Sequence, residues 1–153
     1  MTQILHSIFS LKKLLKKEEP SDVYLVTSHT LARKLRRVIR EIRVPKNNVI
    51  LLPDGEKAKE WRELEKLFEK FIDLGVDRRS ILLALGGGTV GDVVGFAASV
   101  YLRGVRYVQV PTTLLAQADS AHGSKTGINF RGYKNQIGSF YAPLGVVVET
   151  GLL

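Results

Sequence analysis

Five consecutive apolar residues, Ile81-Leu-Leu-Ala-Leu85, run directly into Gly86-Gly-Gly88-Thr-Val-Gly91, and this junction constrains the fold more than any other segment. An apolar run of strand length without polar alternation fits a strand covered on both faces. The glycines permit a tight turn, and a helical pattern follows from about Val90 to Tyr101. A strand feeding a helix through a short turn is half of a βαβ unit, which calls for a parallel sheet with helices on its faces.

The rest of the chain repeats that alternation. After a short amphipathic start from Ile4 to Leu15, Val23 to Val26 reads as a buried strand and about Thr30 to Ile42 as a helix. Val49 to Leu52 is a second strand, closed by the turn Pro53-Asp-Gly55. Trp61, Leu64, Phe68, Phe71 and Ile72 recur at helical spacing between Lys57 and Leu74, and Gly75 ends that helix. Tyr107 to Val110 is a further strand stopped by Pro111, and Val146 to Glu149 a closing one. Counted from Val23, the glycine loop follows the third strand. Residues 119–139 are rich in Gly, Ser, Thr, Asn and Lys, and predict an irregular polar loop region, functional or poorly ordered. The fold expected is α/β, a Rossmann-like parallel sheet flanked by helices.

Composition narrows the function. With 153 residues, 44% of them hydrophobic and 25% charged, the chain suits one ordinary globular domain and not a disordered segment. It holds no apolar run of membrane-spanning length, and its N-terminal lysines follow the apolar stretch instead of preceding it. A cytoplasmic protein with no membrane partner is expected. Absence of cysteine removes disulfides, thiolate nucleophiles and cysteine-based zinc sites. Most of the net charge of +8 lies in residues 1–50, which hold eleven Lys/Arg against four Asp/Glu. The cluster Arg33, Lys34, Arg36, Arg37, Arg40 and Arg43 falls on the outer face of a helical pattern. Without interleaved aromatics or a recognition-helix motif it reads as a solvated face, and no nucleic-acid partner is expected.

Gly86 to Gly91 satisfies G-x-G-x-x-G in the right context, strand before and helix after. Such a loop lets a pyrophosphate approach the free N–H groups at a helix start; a tight turn with close helix–sheet packing is the plainer alternative. No acidic residue ends the next strand, as a common dinucleotide site would require, and Asp92 stands at the loop instead. Asp92 suits a ribose or nicotinamide, or else loose N–H groups at the helix start. Asp54, Gly55, Glu56 and Lys59 sit at a strand end, where Glu56 can accept from ribose hydroxyls and Lys59 can pair with Glu56 or a phosphate; taken alone, the segment reads as a turn followed by a charged first helical turn. Thr112 and Thr113 can cap a helix or bind a ligand. Asp119, Lys125, Lys134 and Asn135 fall in the polar tract, where the lysines suit a phosphate or carboxylate or else are ordinary surface lysines. His6, His29 and His122 are scattered, with no metal-binding spacing.

The ordered blocks LPDGEKAK, LALGGGTVGDVVGFAASVYLRG, VQVPTTLLAQADS, GSKTGIN and KNQIGSFYAP together resemble the 3-dehydroquinate synthase family, from about Leu52 to Glu149. The resemblance implies that residues 1–153 are an NAD-binding N-terminal domain, and that an all-helical, metal-binding C-terminal domain is missing. It implies Asp54, Gly55, Glu56 and Lys59 on the adenosine side of NAD. Gly87, Gly88, Gly91 and Asp92 would hold the pyrophosphate and nicotinamide ribose, with Thr112, Thr113, Lys125 and Lys134 adding contacts. Asp119, Lys125 and Asn135 would stand at the reacting end, and Arg103 would reach the substrate of a neighbouring subunit in a homodimer. The implied substrate is a phosphorylated sugar acid, converted with catalytic NAD and a divalent metal, zinc or cobalt. The metal ligands would come from the missing half, so the isolated chain is expected to be inactive. A related sugar-phosphate cyclase and a non-catalytic NAD- or phosphate-binding module are the alternatives. Ser28 and Thr30 stand where the family carries an acidic residue and an asparagine; Ser124 and His122 also depart from its pattern.

Overall fold

The computed structural model describes residues 2–121 and 123–153. Its core is a six-stranded sheet, every strand pair of which is parallel. The strands are β1 (Gln3–Leu5), β2 (Val23–Ser28), β3 (Val49–Leu52), β4 (Ile81–Gly86), β5 (Arg106–Pro111) and, last in the chain, β8 (Gly145–Val147). They lie in the order β1-β8-β5-β4-β2-β3. The helices are α1 (Ile8–Glu18), α2 (His29–Lys34), α3 (Arg36–Ile42), α4 (Trp61–Asp73) and α5 (Gly88–Val100).

Because β4 is covered on both faces, its six residues are all buried and split by parity. Leu82 and Ala84 join the core beneath α4 and α5, and Ile81, Leu83 and Leu85 join the core beneath α1 and α3. This is the physical meaning of the uninterrupted apolar run. The short strand β1, which the amphipathic N-terminal start concealed, pairs with β8 and makes the glycine loop follow the fourth strand. The predicted long helix over Thr30–Ile42 is two, broken at Leu35 (φ −101°, ψ 26°). Likewise the segment before Trp61 is a separate 3-10 turn, Gly55–Lys59.

The polar tract corrects the sequence expectation most. An irregular loop was expected over residues 119–139, yet Lys125–Phe130 (β6) and Tyr133–Phe140 (β7) form an antiparallel hairpin outside the main sheet. Only Thr126, Gly127 and Ile128 of it are buried, so most of its outward positions are free to be polar and the usual alternation is faint. Thr126 Oγ1 ties its two strands together by donating to the Ser139 carbonyl (2.9 Å), and Ser139 Oγ fastens it to α5 by donating to Ser99 Oγ (2.7 Å). Gly95 makes the approach possible, since a Cβ there would stand 2.5 Å from Thr126 Cγ2 and 3.0 Å from the Tyr107 hydroxyl.

The chain leaves β2 toward β3 on one side, then returns past β2 to β4 and builds β5 and β8 on the other. The carboxyl ends of β2 and β4 therefore flank a topological switch point, the crevice where open α/β sheets take ligands. Ser28 and Gly86 end those two strands.

Candidate functional site

At the crevice the glycine loop delivers the start of α5. Gly87 is the N-cap, no side chain caps the helix, and no acidic residue occupies its first turn. The first N–H groups of a helix have no intrahelical acceptor, and with the helix dipole they present a positive end to an anion. The glycines of the loop differ in their surroundings. A Cβ on Gly91 would stand 2.6 Å from Gln109 Oε1, so Gly91 serves helix–sheet packing, whereas Gly87 is partly exposed beside Thr113.

One turn into α5, Asp92 meets Lys59. The Lys59 ammonium donates to Asp92 Oδ2 at 2.6 Å and to Asn135 Oδ1 at 2.7 Å. Lys59 is 5% exposed, delivered by the 3-10 turn after β3. It is therefore committed to neither Glu56 nor an open phosphate position, and it lies at the Asp92 end of the crevice. Burial pushes the Asp92 carboxyl above its ordinary range, while the hydrogen bond and charge of Lys59 pull it back. Asn135 reaches Lys59 from β7 with φ +50°, a conformation asparagine tolerates better than most residues. Asp92, Asn135 and Lys125 line one cavity of about 360 Å³ with Thr126, Gly127 and Phe140. The hairpin thus forms one wall of the crevice and α5 the other.

Glu56 accepts a hydrogen bond from Asn129 Nδ2 at 2.8 Å. That bond, followed by the charges of Lys59 and Lys134, holds its carboxyl below the usual range. Lys134 is exposed and lines a neighbouring groove with Glu56, Trp61 and Phe130. Asp54 accepts from the Thr30 N–H and hydroxyl, both at 3.0 Å, so it caps the turn after β2. Its carboxyl is lowered first by a hydrogen bond from Ser28, then by those from Thr30. The departures at Ser28 and Thr30 are thus joined to a residue of the expected site. Thr113 Oγ1 accepts from the Ala116 N–H at 3.3 Å, which realises the capping alternative.

Not every expected residue converges. Asp119 is exposed in a wide helical turn, Ala116–Ser120, beyond β5. Arg103 lies past the far end of α5, roughly 20 Å along the helix axis from the glycine loop at ~1.5 Å per residue. His6 and His29 are exposed, and His122 lies outside the described residues. Among the described residues no group of three His, Cys, Asp or Glu side chains is placed to hold a metal, and no helix is long and apolar enough to cross a membrane. Asn129 escaped the sequence reading of single residues, although it closes the block GSKTGIN that was singled out as a whole.

The 3-dehydroquinate synthase N-terminal family matches residues 49–153. A 3-dehydroquinate synthase of Dictyoglomus turgidum is 45% identical over 141 residues, covering 91% of this chain and 39% of that protein. The structure of 2-deoxy-scyllo-inosose synthase with carbaglucose-6-phosphate, NAD+ and Co2+ superposes with a TM-score of 0.87 at 27% identity, over 99% of this chain and 43% of that one. The 2-epi-5-epi-valiolone synthase of Streptomyces hygroscopicus, with NAD+ and Zn2+ bound, gives 0.83 at 27% identity, over 99% and 44%. The chain spans about two-fifths of the length of these relatives.

Proposed function

This chain belongs to the 3-dehydroquinate synthase N-terminal family, and from that premise we propose that it is the NAD-binding part of a sugar-phosphate cyclase, 3-dehydroquinate synthase in particular. The reaction proposed for the whole enzyme converts 3-deoxy-D-arabino-heptulosonate 7-phosphate to 3-dehydroquinate and phosphate. The observation that carries the reading is the meeting of an uncapped helix start with Asp92, Lys59 and Asn135 in one crevice.

The residues fit the cofactor on their own chemistry. Donors without intrahelical acceptors face the crevice at Gly87 and Gly88, and a side chain on Gly87 would crowd toward Thr113, 3.1 Å from its Cβ position. Asp92 and Glu56 offer acceptors for ribose hydroxyls, with Thr112 at the neighbouring strand end. Bound there, NAD supplies reversible hydride transfer with a substrate alcohol. The residues of this chain do the rest. Asp92, fixed by Lys59, orients the ribose, and Lys125 and Lys134 attract the anionic groups of the substrate. Asn135, held against Lys59, presents its amide toward the same cavity. Asp119 and Arg103 complete the reading, Arg103 by reaching the site of a second copy in a homodimer. A metal does not fit the described residues, which gather no ligand set. The zinc or cobalt implied by the family is therefore assigned to a part of the enzyme outside this chain.

Calorimetric titration of NAD into the 153-residue chain tests the reading. Saturable one-to-one binding, lost in Asp92→Ala, is expected; absence of binding by a chain shown to be folded by circular dichroism refutes it. A second substrate reading is favoured by the likeness to 2-deoxy-scyllo-inosose synthase. Titrating 3-deoxy-D-arabino-heptulosonate 7-phosphate and glucose 6-phosphate into the NAD-loaded chain separates the two.

A further inference from the structure

The hairpin and the turn after β3 meet through Lys59 and Asn135, and also through a side chain that the sequence assigned no role. Asn129 sits in β6, half-buried, with both ends of its amide engaged. Its Nδ2 donates to Glu56 Oε1 at 2.8 Å, and its Oδ1 accepts from the Asn135 N–H at 2.9 Å. Asn135 in turn receives the Lys59 ammonium on its own side-chain oxygen, and Lys59 holds Asp92. A continuous path of four hydrogen bonds therefore joins Glu56 to Asp92 across four elements, the turn after β3, β6, β7 and α5, and Asn129 is the link between Glu56 and Asn135. Asn135 depends on that bond in a second way. With φ +50° inside a strand its N–H leaves the regular ladder, and Asn129 gives it an acceptor.

We infer that Asn129 is a positioning residue that couples the Glu56 end of the cofactor crevice to the Lys59–Asp92 end, so that both carboxylates are presented in one geometry. The inference rests on the NAD reading for its consequence, but the linkage itself is a property of the free chain. The amide is suited to the task because it offers one donor and one acceptor at fixed separation. Aspartate keeps the acceptor for Asn135 and loses the donor for Glu56; alanine loses both. Leaving a charged acceptor without its donor forfeits a charge-assisted bond, so NAD affinity should fall about tenfold in Asn129→Ala.

The experiment has two readouts on the same samples. Carboxyl-carbon NMR follows the titration of Glu56 in the unliganded chain, and calorimetry follows NAD. In Asn129→Ala the Glu56 midpoint should rise and the Asn135 amide resonance should move. In Asn129→Asp the Glu56 midpoint should rise further while the Asn135 amide stays near its original position. Adding Glu56→Gln to Asn129→Ala should weaken NAD by less than the two single changes combined, because part of the Asn129 effect passes through Glu56. An unchanged Glu56 midpoint in both variants overturns the inference, as does full additivity in the double variant. If the unsubstituted chain takes no NAD, the functional reading fails, and the Glu56 and Asn135 resonances alone then decide the linkage.

Discussion

Replacing Lys59 by Met tests whether the crevice is held together by charge. Lys59 Nζ lies 2.6 Å from Asp92 Oδ2, and the two side chains are 6% and 24% exposed. Removing one partner of a buried pair costs about 3–5 kcal/mol, chiefly because the other charge is left desolvated. Asp92 keeps a quarter of its exposure, which places Lys59→Met near the lower end, at about 3 kcal/mol. Replacing both, as Lys59→Met with Asp92→Leu, removes the orphaned charge and should recover most of the loss. Equilibrium denaturation in urea measures Lys59→Met, Asp92→Leu and the double variant against the unsubstituted chain. The pH dependence has a definite sign. Burial already raises the Asp92 carboxyl, so its ionised form is the costly one, and the cost grows as pH rises through the folded-state value. The deficit of Lys59→Met should accordingly shrink as pH falls and Asp92 takes a proton. A double variant as unstable as the two single losses combined, or a deficit that grows in acid, would refute the reasoning.

Two further outcomes are expected. Asp77 accepts from Ser21, Arg79 and Ser80, and these bonds hold its carboxyl near 2 against an ordinary 3.8. Its contribution is present above the unfolded value and lost as pH falls through that window, so Asp77→Asn should flatten the acid limb of a stability–pH profile; an unaltered limb counts against a stabilising role for these bonds. At Gly138 an added Cβ would overlap the Thr126 carbonyl oxygen across the hairpin. Gly138→Ala should therefore lower stability by about 1–3 kcal/mol and speed amide exchange in β6 and β7 while leaving β4 protected; uniform exchange would show that the hairpin is not a separate unit.

What could be read from the residues divides along physical lines. The buried parallel sheet was legible because β4 is an apolar run covered on both faces, and periodicity records burial directly. The glycine loop was legible because a strand, a turn and a helix are contiguous, so their geometry is local. Family blocks such as LPDGEKAK and KNQIGSFYAP gave the membership that the match over residues 49–153 bears out. The hairpin was not legible, because its exposed strands lack alternation and its hydroxyl bond to α5 joins Ser139 and Ser99, 40 residues apart. Nor was the place of Lys59. A lysine in a turn chooses among acceptors by distance, and only the packing of α5 and β7 against that turn brings Asp92 and Asn135 nearer than Glu56. Sequence alone determined the layers of the sheet and the position of the uncapped helix start, both set by short-range pattern. The tertiary structure alone decided which polar groups meet in the crevice, because those bonds close over separations of 33 and 76 residues that no local pattern encodes.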